Sequence, residues 1–572
     1  MKSEFERVFQ GTRKARKSTD SGLVSQEIRS VFMISDGFRG LLPGRPLQGW
    51  YNVRSVLFPV LLSMSFGLLK SSAVVSAMTL ISRVLGFVRD MVIAVAFGAS
   101  GATDAFFVAF KIPNFLRRLF AEGAFATAFV PVLSEYRETR SREEVKDLVD
   151  HVAGTLMGVL LLITTVGVLA APWLVLGLAT GFAGDEDKVT LAGDMLRITF
   201  PYLLFIALTA LAGGILNSYG RFAVPAFTPV LLNLCLIGAA LWLAPELENP
   251  IVGLAWGVFL AGAAQLSFQL PFLWRLGLLP RPRWGWRHSG VRKIIALMLP
   301  TLFGSSVAQI NLLFDVWLAS FLVEGSISWL YYSDRLMEFP LGVLAIAIAT
   351  VILPQLSRDH AGRTGAFSRV MDWALRLMWL VGLPAALGLF LLAGPLLSTL
   401  FQHGEFTPGA VEMSALSLMA YALGLPAFMA IKVLAPGYFA RRDTKTPVRI
   451  GLYAMGANMV LNLILVWPLD HVGLALATTL SAYLNAALLY RGLRRSGVYV
   501  PGRDWRAVML RMTAALAAMG VLLYWGTPAL EWWVEEGAWS RLWTLSAWIA
   551  AGAGVYSLSL ALTGLRPRHL RL

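Results

Sequence analysis

Arginines and acids stand in the middle of apolar segments of this chain. Arg83, Arg89 and Asp90 lie in one, Lys111, Arg117, Arg118 and Glu122 in the next, and Asp334, Arg335 and Glu338 in a third. A charge at bilayer depth costs several kcal/mol, about 2.5–3.5 on insertion scales. Such residues face water-filled cavities and mark a substrate path. The pattern therefore predicts a cationic chamber whose guest is an anion. Arginine suits phosphate because its planar fork donates two parallel hydrogen bonds. In the second segment Asp104, Asn114 and Glu122 fall in step with Lys111 and Arg118, which lays all five along one helix face. Arg83 and Asp90 share a face in the first segment, and Asp334 and Arg335 each reach Glu338 within a helical turn. The competing role is internal pairing, of Arg118 with Glu122 and Arg335 with Glu338. It does not absorb all of Arg83, Arg89, Arg117 and Arg118, so positive charge is left for a ligand.

A second, weaker constellation lies in the other half. Asp315, Asn458, Asn462 and Thr478 offer carboxylate, amide and hydroxyl oxygens, the donors a hard cation such as sodium prefers. Hydrogen bonds between helices account for them equally well. Other chemistry finds no support. The single cysteine, Cys235, cannot form a disulfide within the chain or a zinc cluster. The six histidines are scattered without metal spacing. There is no phosphate loop, nucleophile elbow or HExxH pattern, so no cofactor is expected beyond sodium as a coupling ion.

The elements that must position these charges are membrane helices. The chain has 572 residues, 57% of them hydrophobic and only 15% charged, far too apolar for a soluble protein. Runs such as Gly154–Leu178 are continuous, as spanning helices are, and lack the alternation of barrels. Fourteen spans are expected, at 70–97, 104–134, 147–178, 189–218, 222–244, 250–276, 291–322, 327–357, 368–401, 409–440, 446–468, 471–494, 505–527 and 540–564. The net charge of +15 resides mostly in alternate linkers, which makes it a topology signal and not a nucleic-acid one. Linkers 135–146, 277–290, 358–369, 441–445 and 491–506 are rich in Lys and Arg, which places them and both termini in the cytoplasm.

An internal repeat recurs at about 224 residues. Asp90 corresponds to Asp315, Pro113 to Pro340, Phe129–Ser134 to Ile352–Ser357, Ala171–Trp173 to Gly394–Leu396 and Pro201 to Pro426. Six spans per copy keep both copies in one orientation, with substrate expected at their interface. The division is then a polar extension over 1–63, an N-terminal lobe over 64–276, a basic linker over 277–290, a C-terminal lobe over 291–497, and two further spans over 498–572. Residues 1–63 read as a disordered extension, or as a start-site artefact with translation beginning at Met64. Trp532, Trp533, Trp539 and Trp543 suggest an aromatic belt, or a lipid-facing groove for a long acyl or prenyl chain.

Five stretches carry a resemblance. Ser82–Asp90, Ala102–Asn114 and Leu116–Phe125 together, with Trp329–Pro340 and Lys432–Gly437, resemble the MurJ (MviN) lipid II flippase family, from about residue 66 to the end. The resemblance implies the multidrug/oligosaccharidyl-lipid/polysaccharide exporter fold, two six-helix lobes in a V plus two helices that groove the lipid tail. It implies a transporter, not an enzyme, in the bacterial inner membrane. Its substrate would be undecaprenyl-pyrophosphate-linked disaccharide-pentapeptide (lipid II), with no nucleic-acid partner and with docking into a cell-wall synthesis complex open. Functional positions carry over to Arg83, Arg89, Asp104, Arg117 and Arg335, with Arg118 and Glu338 nearby. Asp90, Asp104, Glu122, Asp334 and Glu338 are expected as gating or charge-pairing residues. The relatives' cation site falls on Asp315, Asn458, Asn462 and Thr478, where Asn462 is neutral and a carboxylate would hold sodium better. An exporter of another anionic lipid-linked oligosaccharide or amphipathic molecule is the alternative.

Overall fold

The computed structural model describes the backbone of residues 49–118, 125–359, 364–502 and 504–564, and side chains over 73–118, 125–302, 309–342, 367–502 and 504–564. Among the described residues every regular element is helical. In chain order the α-helices are α1 (Gly49–Phe97), α2 (Gly101–Arg117), α3 (Phe125–Thr139), α4 (Arg142–Leu169), α5 (Ala171–Leu178), α6 (Glu186–Thr199), α7 (Tyr202–Ser218), α8 (Ala223–Gly238), α9 (Val252–Leu276), α10 (Ser289–Ala319), α11 (Ser326–Asp359), α12 (Thr364–Leu391), α13 (Ala393–Phe401), α14 (Pro408–Phe439), α15 (Lys445–Arg495), α16 (Trp505–Gly526), α17 (Leu530–Glu535) and α18 (Ala538–Leu562). Two compact units divide at Ala73 and Val74. The described part of the first is helix from Gly49. Residues 1–48 lie outside the described set, as does Glu122.

Nine helices among the described residues are long and apolar enough to cross a membrane, which makes this a multi-span membrane protein. Their ends carry ordinary signals. Ser141 and Glu144 close a reciprocal capping box at the start of α4, which also holds the Glu144 carboxyl below its usual range through the Ser141 N–H. Thr407 caps α14 ahead of Pro408, whose missing N–H is no loss in a first turn. Expected single spans are broken where their prolines fall. α4 gives way to α5 at Ala170, before Pro172, and α6 to α7 before Tyr202, at Pro201. α12 gives way to α13 at Leu392, before Pro395, at nearly the spacing of the sequence repeat. α15 contains a break at Asp470, where φ is +46°, between two expected spans.

The basic linkers and the loops 98–100, 179–185 and 323–325 cap opposite ends of the bundle, called here the basic end and the far end. At the basic end the linker after α9 is strapped along α4. Asp150 accepts from Arg281 N–H (2.7 Å) and, through its carbonyl, from Arg283 N–H (3.0 Å); Thr155 Oγ1 accepts from Gly285 N–H (3.1 Å). The segment after α15 is held in the same way on α12. Asp372 accepts from Tyr499 Oη (2.6 Å), Trp505 Nε1 (2.5 Å) and Gly502 N–H (3.3 Å); burial, and after it this bond to Asp372, pushes the Tyr499 phenol up. At the far end Arg541, buried in the hairpin of α16 and α18, donates to the carbonyls of Ser398, Gln402, Val534 and Glu536. Trp533 is fully buried and donates to Pro528, so it belongs to this packing and not to an aromatic belt; Trp539 and Trp543 remain exposed.

Candidate functional site

Asp90 is the hub of a polar cluster between α1 and α11. It is buried, and a buried carboxylate needs partners for its lone pairs. Arg89 Nη2 and Nε donate to its Oδ1 at 2.6 and 2.9 Å, Tyr331 Oη donates to the same oxygen at 2.8 Å, and Arg335 Nε lies 3.2 Å from Oδ2. Tyr331 Oη in turn accepts from Arg89 (3.2 Å) and Arg335 (3.3 Å), with the Arg335 guanidinium over its ring. Arg335 Nη1 also donates to Glu338 at 3.0 Å, and Arg89 Nη1 to Asn233 Oδ1 of α8 at 3.1 Å. Arg89, Arg335, Asp90 and Glu338 thus form a neutral set. Internal pairing absorbs two of the arginines expected to hold the ligand.

Exposure along this cluster runs in one direction. On α11, Tyr332 and Ser333 are fully buried, the Arg335 side chain is 32% exposed and that of Glu338 49%. On α1, Arg89 is buried and Arg83 is exposed. Exposure of the cluster therefore rises toward the basic end. Arg83 lies against Gly342 of α11, where a Cβ would collide with its guanidinium, and among the described residues it has no ion-pair partner. Lys111 of α2 is within electrostatic reach of Asp334, Asp315, Arg118 and Arg335. Arg117 forks onto Asn114 Oδ1 at 2.8 and 3.0 Å, and Arg118, half-buried, sits at the α2 C-cap.

Asp104 stands apart from this cluster, toward the far end. It is buried, and its partners are not cations. Its carboxylate accepts from Ser328 Oγ (2.6 Å), Ser328 N–H (2.9 Å) and Gly325 N–H (2.8 Å), and so caps α11 from a different helix. Gly325 has φ +89° and leaves no room for a Cβ beside the Ala99 carbonyl and Trp329, so glycine is required where the cap is made. Around this seam Trp317 Nε1 donates to Thr180 (3.0 Å), Gly181 N–H to Ser320 (3.1 Å) and Glu405 N–H to Val95 (3.0 Å). The expected common face of α2 is thus divided between a sealed far end and a wetter middle. Asp104 and Ser328 are 224 residues apart in sequence, and Phe107 stacks on Tyr331 (centroids 4.0 Å apart) at the same spacing.

The second constellation is assembled. Asn462 Nδ2 donates to Asp315 Oδ1 (2.7 Å) and Asn458 Oδ1 (3.0 Å), and Asn458 Nδ2 reaches Thr478 Oγ1 and Ser481 Oγ, each at 3.4 Å. Asn462 Oδ1 is buried and has no partner among the described residues. Turning that amide over would set its oxygen beside those of Asp315 and Asn458.

Asn233, Tyr331 and Ser328 escaped the sequence reading. Each is a neutral residue whose part depends on a contact across lobes or helices, which spacing does not reveal. Histidine spacing likewise concealed a cluster of Asp147, His151 and His288 at the basic end. The rings stack at 4.9 Å, and Asp147 lies 3.3 and 3.4 Å from their nitrogens. His288 Nδ1 accepts from Gly290 N–H, so its proton sits on the Nε2 that faces Asp147, where a metal would need a lone pair.

A family model described as lipid II flippase MurJ matches residues 93–539. The chain is 52% identical over 517 residues to a probable lipid II flippase MurJ of Vibrio cholerae, covering 89% of this chain and 98% of that one. It is 42% identical over 470 residues to a lipid II flippase MurJ of Burkholderia cenocepacia, covering 81% and 91%. Among solved structures, a lipid II flippase MurJ in an inward closed conformation superposes with a TM-score of 0.71 at 27% identity, over 85% of this chain and 98% of that one. An inward-facing multidrug transporter of the MATE family, at 14% identity and TM-score 0.61 over 74% and 98%, shares the fold. With its buried charged cluster and these matches over most of its length, the chain belongs to the MurJ family.

Proposed function

We propose that this protein is a flippase that carries lipid II from the inner to the outer leaflet of the bacterial cytoplasmic membrane by alternating access. The observation that carries the reading is the set of arginines on α1, α2 and α11, whose exposure rises from Arg89 to Arg335 and Arg83, with the Asp104 cap on α11 toward the far end. It is a transporter and not an enzyme. Arg83, Arg117, Arg118 and Arg335 would replace the hydration shell of the diphosphate. Because Arg335 is already held by Asp90 and Glu338, the ligand must exchange with Glu338. That exchange couples binding to rearrangement of α11, through differential affinity for the two states. Asp104 acts as the far-end gate and Asp334 and Glu338 as pairing partners. The prenyl chain would remain in lipid along α16 and α18.

Fourteen crossings in two six-helix lobes, 64–276 and 291–497, joined by the linker 277–290 and followed by 498–572, are the architecture we infer. The expected spans outside the nine apolar ones are those of α1, α2 with α3, α10 and α11, which carry the chamber charges, and α15 supplies two. Contacts between Asp104 and Ser328 and between Phe107 and Tyr331 join residues one repeat apart, as an axis between parallel repeats requires. The positive-inside rule puts the basic end and both termini in the cytoplasm. Sodium at Asp315, Asn458, Asn462 and Thr478 is proposed as the coupling ion. Docking into a cell-wall synthesis complex would use the basic end.

The test is complementation in cells depleted of their own lipid II flippase, with lipid II quantified by a periplasm-restricted reagent. Restored exposure that is lost in Arg89→Ala, with membrane insertion intact, is expected. Insertion without restored exposure would transfer the reading to export of another anionic lipid-linked oligosaccharide.

A further inference from the structure

Lys432 lies inside α14, about seven turns from the Thr407 cap at the far end and about two from the basic end. It is exposed, and among the described residues it has no ion-pair or hydrogen-bond partner. A charge within a spanning helix needs either water or a route to the headgroups, and the direction in which it points decides between them. Tyr421, about three turns (about 16 Å) toward the far end, shares its helix face. Tyr421 is within electrostatic reach of Asp334 and Asp315, so this face looks into the chamber. Leu416 and Leu423, 43% and 48% exposed, lie on the opposite face of the same helix, which is the lipid side. Along the inner face Leu425 is buried, Phe428 half-buried and Lys432 exposed, and Phe439 one turn of pairs further on is exposed again. The inner face opens toward the basic end as α11 does from Arg335 to Glu338.

We infer that Lys432 is a further substrate-binding residue, an ammonium at the mouth of the chamber that meets an oxyanion of the entering headgroup. The inference rests on the flippase reading above. The shared chemistry is a phosphate or carboxylate oxygen: the diphosphate supplies the first and the peptide the second. A lysine fits this place because a rotatable point charge on a flexible stem can follow a mobile headgroup, whereas the paired arginines deeper in are held by Asp90 and Tyr331. It also adds a cation that no described acid neutralises.

Binding of lipid II and of undecaprenyl diphosphate to the purified full chain tests this. Lys432→Gln should weaken lipid II binding about tenfold, the equivalent of one charge-assisted hydrogen bond, and Lys432→Arg should restore most of it. An equal loss for both ligands assigns the contact to the diphosphate, and a loss confined to lipid II assigns it to a peptide carboxylate. Unchanged affinity of Lys432→Gln, with wild-type binding intact, overturns the inference alone; a wild type that binds neither ligand overturns the flippase reading with it. Direction is tested without substrate. In a Cys235→Ala background, Lys432→Cys should react with a membrane-impermeant maleimide applied from the cytoplasmic side. A correctly inserted variant that resists the reagent would place the side chain in lipid and refute the assignment.

Discussion

Asp104 shows how one carboxylate can hold a transporter in one state. Three donors converge on it, and two are backbone N–H groups at the start of α11 that otherwise have no acceptor. Hydrogen bonds to a charged group are worth about 1.5–3 kcal/mol each, and stranding the donors adds a desolvation penalty. Asp104→Ala should therefore shift the population away from the sealed state by at least about tenfold. Spin labels placed across the far-end seam would report this as a new, longer distance; an unchanged distance distribution would remove Asp104 from the gate. Asp104→Asn keeps one acceptor and should lie between. At the other constellation, Asp315→Asn removes the carboxylate charge that faces Asn462. Sodium dependence of transport should then disappear, along with any sodium-induced gain in thermal stability, which binding to the folded state alone would produce. A wild type indifferent to sodium in both measurements would leave the four residues as interhelical hydrogen bonds.

At the scale of elements, the strap on α4 makes a pH-dependent prediction outside the membrane. Burial holds the His288 imidazole below its ordinary 6.5, and the stacked His151 adds to this while Asp147 opposes it. A base whose folded pKa is lowered binds fewer protons than the unfolded segment. Its contribution is thus complete above about pH 6.5 and declines as pH falls through the folded value. Hydrogen exchange of residues 281–288 should quicken below that pH, with Arg283, Asp147 and His151 the other groups facing the ring. His288→Asn keeps an N-cap acceptor and should flatten the profile. A profile that is unchanged in this variant would assign the effect to other groups. The strap also marks the limit of legibility. Linker 277–290 reads as basic and therefore cytoplasmic, but its pinning depends on Asp150 and on Gly154, where a Cβ would strike the Arg283 backbone. Helix identity was plain from apolar runs, and the breaks at Ala170 and Leu392 follow from prolines. By contrast, the pairing of Arg335 with Asp90, and of Asp104 with backbone and not with a cation, depends on how α1, α2 and α11 meet. Periodicity along one helix fixes a face but not what the face touches.

At the scale of the molecule, the contacts along α2 and α11 differ in kind from one end to the other. The far end is closed by hydrogen bonds to backbone groups, by the Phe107–Tyr331 stack and by aromatic packing of Tyr332 with Phe401 and Phe406. The basic-end half carries exposed charges on its inner faces. An outward-opening step must therefore break polar contacts that water can replace, while the wet charges close on one another or on the ligand. This asymmetry predicts the effect of a bridge. Gly101 and Glu324 face each other across the seam, close enough that a Cβ on Gly101 would meet the Glu324 carboxyl. With Cys235 replaced by alanine, cysteines at 101 and 324 joined by a short bifunctional maleimide should leave lipid II binding intact and stop translocation, because binding uses the basic-end opening and release uses the seam. Cleaving a reducible form of the linker should restore transport. Transport that continues through the bridged protein would mean that the headgroup leaves by another path, and that the seam between α2 and α11 is a structural joint and not a gate.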